Sequence, residues 1–273
     1  LVKVAGINQV LHSVCSICGP AIGTLAIAYL PISKVLYLHL IGALLAILSI
    51  VVVKIPDLVT KSKSSIYSIA TDFSEGFQTV SKNKGLRYLF LYAMAITFVI
   101  MPAAIMFPLL TTGHYAGGKW EMGIVEVVWG GGMLIGGVIL SIFKLKGSKV
   151  AAVNIMYVLL GLTFILSGVL PASWFVEFVM VTAIGGVSLS VFNGCFTAIV
   201  QTEVSPEKLG RVFSLYYSMA VLPSVIGLLF TGLIAEVIGV NITFIVSGCL
   251  AILVGILSFG TRNLMQLGKI KNV

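Results

Sequence analysis

Residues 88–111 read YLFLYAMAITFVIMPAAIMFPLLT, a run without a single charged side chain. An α-helix rises about 1.5 Å per residue, so about 20 apolar residues cross the hydrocarbon core of a bilayer. The run is therefore predicted to be a transmembrane helix. Further runs of this kind lie on both sides of it, at residues 8–30, 35–53, 122–143, 150–169, 173–200, 212–235 and 238–261.

The composition of the chain is typical of a membrane protein. Hydrophobic residues make up 59% of the 273 residues and charged residues only 10%, whereas about a quarter of the residues in a soluble domain are charged. The runs are continuously apolar rather than alternating, which excludes a transmembrane β-barrel. The sequence therefore predicts an all-α, polytopic helical membrane protein.

The positive charges distinguish the two sides of the membrane. None of the 17 Lys and Arg residues lies within an apolar run. Alternate connections hold Lys3, Lys54, Lys61, Lys63, Lys82, Lys84, Arg87, Lys144, Lys146, Lys149, Lys208, Arg211, Arg262, Lys269 and Lys271, and the others hold only Lys34 and Lys119. Cytoplasmic connections are the ones enriched in Lys and Arg, so both ends of the chain are predicted to be cytoplasmic. Topology and anionic lipid account for the net charge of +8, and no nucleic-acid partner is predicted.

One long polar connection divides the chain. It carries apolar residues at helical spacing, namely Ile66, Ile69, Phe73, Phe77 and Val80. This pattern predicts an amphipathic helix at the cytoplasmic surface of the membrane. The predicted segments are two spans in residues 1–54, the linker 55–87, six spans in residues 88–261 and a cytoplasmic tail at 262–273.

Several motifs resemble one family of transporters. Gly6, Cys15, Gly19-Pro20 and Gly23-Thr24 are similar to a motif of the fifth helix of antiporters in the major facilitator superfamily. Other similar segments are Phe73–Phe77, Asn83–Arg87, Gly123–Glu126, Gly132–Gly137, Asn193 and Gln201–Ser214. Together they resemble the macrolide-efflux branch of that superfamily, and the resemblance extends over the whole chain.

The resemblance implies a fold and an activity. The chain would correspond to helices five to twelve of a twelve-helix transporter, with two helices of the N-terminal half and a complete six-helix C-terminal half, and helices one to four would be missing. Such a protein exports a hydrophobic, drug-like or macrolide-like compound in exchange for protons, by alternating access in a bacterial cytoplasmic membrane. The alternatives are a truncated or split transporter that is inactive alone, and a non-transporting membrane partner subunit. An enzyme is not expected, because no cluster of His, Asp or Glu lies at one interface.

Glu126 is the most informative polar residue within a span. It lies about 9 Å from Trp120 along the helix, counted at 1.5 Å per residue. A charged carboxylate near mid-membrane costs about 2.5–3.5 kcal/mol, and removal from water favours its protonated form. Glu126 is therefore a candidate for coupling to protons or for binding a cationic substrate. The alternative is an interfacial glutamate that reaches the outer water.

Other residues are candidates for the substrate path. Asn193 forms a polar patch with Ser190 and Thr197, and the resemblance implies that this helix borders the substrate cavity; plain hydrogen bonding between helices is the alternative. Pro102, with Pro108 in the same span, removes a backbone hydrogen bond and permits a bend. His12 is a candidate proton relay.

Small residues and aromatic residues complete the expectations. Gly6, Gly19, Pro20 and Gly23 would give a kinked helix in close contact with its neighbour, as the antiporter motif implies. Phe98, Phe107, Trp129, Phe192 and Phe196 would contact either a hydrophobic drug or their neighbours, while Tyr115, Trp120 and Trp174 are expected to anchor span ends at the membrane interface. The four cysteines all lie in predicted spans, and no metal or cofactor is predicted.

Overall fold

The computed structural model describes residues 30–52, 66–142 and 148–267, together with the single positions 15, 22, 23 and 26. All regular structure in these residues is helical. The helices are α1 (Ile32–Val52), α2 (Ile66–Lys82), α3 (Lys84–Ile105), α4 (Lys119–Ile142), α5 (Lys149–Val169), α6 (Phe175–Glu203), α7 (Pro206–Ile238), α8 (Val240–Gly260) and α9 (Arg262–Met265). In the described ranges, 6 helices are long and apolar enough to cross a membrane: α1, α3, α4, α5, α6 and α8.

The predicted spans agree with these helices. Each apolar run from residue 35 onward overlaps a described helix. The run 88–111 continues past the end of α3 at Ile105, and the run 212–235 lies inside α7. The run 8–30 falls almost entirely outside the described residues. The all-α, polytopic fold is thus confirmed, and a helix is present at Ile66–Lys82, where the linker was expected to be amphipathic.

Local sequence determines where several helices begin. The Asn83 side chain accepts hydrogen bonds from the backbone amides of Gly85 and Leu86, which caps the start of α3. Ser148 caps α5 in the same way through the amide of Ala151. Gly239, between α7 and α8, has a φ of 84°, a conformation that favours glycine, so the chain can reverse direction there within one residue.

Glycines bring two pairs of helices into close contact. A Cβ added to Gly161 of α5 would lie 2.6 Å from the Gly248 carbonyl oxygen of α8. On α4, Gly132 contacts Ala183 of α6, and a Cβ on Gly136 would lie 2.7 Å from the Val187 carbonyl oxygen. Close backbone approach of this kind is how helices pack inside a membrane, where lipid offers no hydrophobic driving force between them.

The six helices α3–α8, here called the six-helix body, have two distinct ends. At the first, called the basic end, Gly76 of α2 packs against Arg211 of α7 and Gly85 of α3 packs against Asn263 and Leu267. At the opposite end, His114 and Tyr115 contact the end of α5 and the starts of α6 and α8. The linker helix and the start of α7 therefore lie at the same end, as the distribution of cations requires.

Aromatic rings fill the core near both ends. Towards the basic end, the Phe196 ring centroid lies 4.4 Å from that of Tyr216 and 5.5 Å from that of Phe90. Towards the opposite end, Phe107 contacts Phe244 at 5.0 Å and Trp129 at 5.7 Å between centroids. In contrast, no residue from Ser33 to Val52 of α1 is buried, so α1 does not contribute to this core.

Candidate functional site

Helix α4 carries Glu126 on the side away from its exposed apolar face. Ile124, Ile135 and Val138 are exposed and form one stripe along the helix. At about 100° per residue, Glu126 lies about 160° around the helix from the centre of that stripe. Glu126 is exposed as well. It therefore opens to a second surface of α4, distinct from the uniformly apolar one.

Asn193 occupies a comparable position on α6. Met180 and Ile184 mark the exposed apolar face of this helix, with exposed fractions of 63% and 45%. Asn193 is also exposed, and at about 100° per residue it lies about 160° from the centre of that face. Both predicted polar residues are thus exposed on faces that turn away from the apolar surface of their own helix.

The contact between α4 and α6 places these two faces side by side. The two helices run parallel, because Gly132 meets Ala183 and Gly136 meets Val187 one turn further along both. Ser190 of α6 has its hydroxyl 3.8 Å from the position of a Cβ on Gly137, beside the main line of contact. Glu126 and Gly137 lie on one stripe of α4, and Ser190 and Asn193 on one stripe of α6. We call the combined surface the inner face.

Glu126 and Asn193 lie at different depths of the inner face. The pairing of Gly132 with Ala183 puts Glu126 level with Glu177 near the start of α6. Asn193 is level with Ile142, so the two polar residues are about 24 Å apart along the helix axes at 1.5 Å per residue. The structure brings them to the same side of the α4–α6 pair and does not bring them into contact.

Glu126 differs from the other carboxylates of these two helices in its distance from a helix end. Glu121 and Glu177 are each the third residue of their helix, and Glu203 is the last residue of α6. Glu121 accepts a hydrogen bond from the Gly118 amide at 2.7 Å and so acts at the helix start. Within the described parts of α4 and α6, Glu126 is the one acidic residue placed more than one turn from a helix end.

The segment between Pro102 and Pro108 is irregular. Pro102 lies inside α3, which ends at Ile105. At Met106 the backbone leaves the α-helical pattern, with φ −90° and ψ 4°, and its amide donates to the Ala103 carbonyl. A short turn, Phe107–Leu109, and a π-helical turn, Leu110–His114, follow. The break in the helix therefore falls between the two prolines, and a gating role for it stays a prediction.

The antiporter-motif residues are described only in part. Gly6, Gly19, Pro20 and His12 lie outside the described residues. Gly23 is described, and a Cβ added to it would meet no described atom within 4 Å. The close packing predicted for this motif thus stays a prediction. Among the described residues, no group of three or more His, Cys, Asp and Glu side chains could hold a metal ion.

Most of the aromatic candidates belong to the core. Phe107, Phe192 and Phe196 are buried, with exposed fractions of 8%, 4% and 1%, so they pack between helices. Phe98 is exposed on α3.

The expectation that Tyr115 anchors a span end at the interface was wrong: its hydroxyl donates to the Ser167 carbonyl at 2.8 Å, and its ring stacks on Phe178. Trp120 and Trp174 are exposed near helix starts, where they were expected.

A polar bridge at the end opposite the basic end was not foreseen from the sequence. Nδ1 of His114 accepts from the Asn241 side-chain amide at 2.8 Å, and Nε2 lies 2.8 Å from the Leu170 carbonyl oxygen. A carbonyl oxygen can only accept, so Nε2 carries a hydrogen in this arrangement. The bridge joins the π-helical turn to α5 and α8. Its partners are 56 and 127 residues from His114 in the chain, and no local pattern links them.

Comparison with known proteins agrees with this architecture. The family model of the Major Facilitator Superfamily matches residues 146–265. Macrolide efflux protein A of Streptococcus pyogenes is 34% identical over 256 residues, which is 94% of this chain and 63% of that protein. Macrolide efflux protein A of Enterococcus faecalis is 33% identical over 228 residues, or 84% of this chain and 71% of that protein.

A more distant relative has a broader name. The multidrug efflux pump Tap of Mycobacterium tuberculosis is 23% identical over 250 residues, covering 89% of this chain and 58% of that protein. The chain thus spans 63% of the length of the Streptococcus pyogenes relative. The helical membrane architecture and the similarity over most of the chain lead to one assignment: this chain belongs to the major facilitator superfamily, in its macrolide-efflux branch.

Proposed function

We propose that the chain works in a secondary transporter that exports a hydrophobic, drug-like or macrolide-like compound in exchange for protons. The named activities of the relatives support export of drugs. The position of Glu126 carries the proposal of proton coupling, because its carboxylate lies on the inner face rather than on the exposed apolar face of α4. A carboxylate inside a membrane protein is costly and usually belongs to an ion or substrate path.

The inner face offers the substrate a surface of mixed character. Its polar side chains include Glu126 and Asn193, which are about 24 Å apart along the helices at 1.5 Å per residue. A compound moving along this face would meet the carboxylate at one depth and the amide at another. We propose that Glu126 exchanges a proton when the substrate leaves, and that Asn193 hydrogen-bonds the substrate nearer the basic end.

We also propose an orientation in the membrane. The basic end holds Lys82, Lys84, Arg87 and Arg211, and positively charged ends of membrane proteins face the cytoplasm. Glu126 would then lie closer to the outer surface than Asn193 does. Protons driven inward by the membrane potential, which supplies about 2.3 kcal/mol per charge per 100 mV, would reach Glu126 first.

The test is Glu126→Gln in the transporter produced from its intact gene. Glutamine keeps the size of the side chain and removes the exchangeable proton. In inverted membrane vesicles, a macrolide should release protons through the parent protein and should not do so through the variant. Glu177→Gln is the matched control, because Glu177 is level with Glu126 and lies at the start of α6. Macrolide-dependent proton release by Glu126→Gln equal to that of the parent would refute the coupling role.

A further inference from the structure

The linker helix α2 contacts the start of α7 through an ion pair and a close glycine contact. Nη1 of Arg211 lies 2.5 Å from Oε2 of Glu75, which forms an ion pair between the two helices. Next to it, Gly76 lies so close that an added Cβ would be 2.9 Å from the Arg211 carbonyl oxygen. Val80, one turn further on, is buried in the core of the body. The first two contacts join α2 to α7, and Val80 joins α2 to the core of the body.

The end of α2 is fixed to the other helices of the body. Asn83, directly after α2, caps α3 and donates from its side-chain amide to Oε2 of Glu203 at 3.3 Å. Glu203 is the last residue of α6. The C-terminal end of α2 is thus anchored at the place where α3, α6 and α7 meet, and about two turns before that end the Glu75–Arg211 pair joins α2 to α7.

The ion pair between Glu75 and Arg211 is weak enough to open. The side chains of Arg211 and Glu75 are 41% and 44% exposed, so water and salt screen their attraction. Phe73 and Phe77 remain 48% and 55% exposed, so neither ring is enclosed by the body. Around Glu75 the contact with α7 can therefore open while the buried Val80 and the cap at Asn83 keep the C-terminal end of α2 in place.

Release of α2 from α7 would affect other helices because of the position of α2 in the chain. It lies between α1, which has no buried residue from Ser33 to Val52, and α3, which belongs to the six-helix body. In chain order, α2 is thus the helix between α1 and the six-helix body. Opening of the Glu75–Arg211 pair would free α7 from this helix.

We propose that α2 is a releasable strap, whose Glu75–Arg211 pair holds it on α7 in one access state and opens in the other. This inference rests on the proposed alternating-access function, because release of α2 would serve that function. The distance measurement that tests it does not require transport. With the pair closed, the start of α7 is fixed to the start of α3 through α2. With the pair open, α7 is free to move at the basic end.

A distance measurement tests the strap without any transport assay. Spin labels at Gln78→Cys on α2 and Lys208→Cys on α7, both exposed positions, leave the ion pair intact once the native cysteines are replaced. Two distance populations are expected in lipid nanodiscs. Glu75→Gln should move the ratio of long to short distances by roughly two- to fivefold, the range for one exposed ion pair. The exchanged pair Glu75→Arg with Arg211→Glu should restore it.

Two results of this measurement would overturn the strap. One is a single short distance with and without a macrolide, at both acidic and neutral pH. The other is a ratio of populations that Glu75→Gln leaves unchanged. Neither result depends on whether the protein exports anything, so failure of the strap is distinguishable from failure of the proposed function.

A cross-linking experiment tests the consequence for transport. In the cysteine-replaced background, Glu75→Cys and Arg211→Cys are joined by a short reducible thiol reagent. Efflux should be lost on cross-linking and should return on reduction, while the two single-cysteine variants are unaffected by the reagent. Full efflux in the cross-linked protein would show that α2 need not leave α7. A background without efflux would count against the proposed function, and the distance measurement would still decide the strap.

Discussion

Gly161 of α5 and Gly248 of α8 meet backbone to backbone, with the position of a Cβ on Gly161 only 2.6 Å from the Gly248 carbonyl oxygen. A methyl group at Gly161 therefore has no space unless the two helices separate. Along the same interface, a Cβ on Gly168 would lie 2.6 Å from the Asn241 carbonyl oxygen. The α5–α8 pair depends on glycine at more than one level.

Gly161→Ala should lower the stability of the protein by about 1–3 kcal/mol, the usual cost of forcing a methyl group into a packed interface. Thermal unfolding in detergent, followed by intrinsic fluorescence, measures the change. Gly131→Ala on α4 is the control, because a Cβ there meets no described atom within 4 Å. Equal unfolding midpoints for the two variants would mean that α5 and α8 are not in backbone contact.

Tyr157→Phe should leave the stability unchanged or raise it by up to about 1 kcal/mol, since an unsatisfied buried hydroxyl is itself unfavourable. Within the described part of the chain, the Tyr157 hydroxyl is buried without a hydrogen-bond partner. Its ring centroid lies 5.2 Å from that of Phe192, and phenylalanine keeps this contact. The unfolding midpoint of the variant is the measurement.

Ser258→Ala is the informative comparison for Tyr157→Phe. The Ser258 hydroxyl donates to Oδ1 of Asn154 at 2.6 Å, and both residues are fully buried. Its removal should lower the stability by about 0.5–2 kcal/mol, because the asparagine loses a partner it cannot replace with water. If Tyr157→Phe were as destabilising as Ser258→Ala, the tyrosine hydroxyl would have a partner after all.

Tyr115→Phe should increase amide hydrogen exchange in residues 110–118. The hydroxyl donates to the Ser167 carbonyl and so fastens the π-helical turn to α5. Burial raises the pKa of Tyr115 far above the physiological range, so the phenol stays protonated and the bond should persist at neutral and mildly alkaline pH. Thr112→Ala is the control, since Thr112 is exposed and bonds only to Pro108 in its own turn. Exchange that Tyr115→Phe leaves unaltered would contradict this role.

The helices themselves could be predicted from the sequence because a membrane allows few choices. Backbone amides in lipid must be satisfied within the segment, so each long apolar run has to be a helix. The run 150–169 corresponds to α5 at Lys149–Val169 almost residue for residue. The limits were less accurate where a helix continues into water, as α7 does by beginning at Pro206 rather than near residue 212.

Which helices pack against each other could not be predicted in the same way. The spacing of Gly132 and Gly136 indicates a packed face, but the sequence does not say that α6 covers it. On α2, one apolar stripe divides into a buried Val80 and exposed Phe73 and Phe77. Hydrophobicity alone does not separate a side chain that faces protein from one that faces a membrane or water.

The candidate site was predictable in its residues and not in its arrangement. Glu126 and Asn193 could be selected because polar side chains within apolar runs are costly. Their common side, and their separation along the helices, follow from the register of α4 against α6, which the structure supplies. The bridge from His114 to Asn241 joins residues 127 positions apart, and only the folded arrangement of the helices brings them together.

Gly76→Ala should loosen α2 from α7. The added methyl group would meet the Arg211 carbonyl oxygen at 2.9 Å and the Leu215 Cβ at 3.5 Å, and backbone cannot yield as a flexible side chain does. Alanine also favours a helix over glycine by up to about 1 kcal/mol, so α2 should remain helical while its contact weakens. We expect faster amide exchange in residues 73–82 and unchanged exchange in α5.

The control for this variant is Gly210→Ala, one residue before Arg211. Among the residues that the structure describes, a Cβ at Gly210 meets no atom within 4 Å, so the same substitution at the same end of the body should leave exchange in α2 as it is. Hydrogen exchange followed by mass spectrometry of both variants in lipid nanodiscs compares them directly. Because Gly76 and Glu75 are adjacent, weakening one contact should also weaken the other. Unaltered protection of α2 in Gly76→Ala would therefore place α2 away from α7 and remove the basis for the Glu75–Arg211 strap.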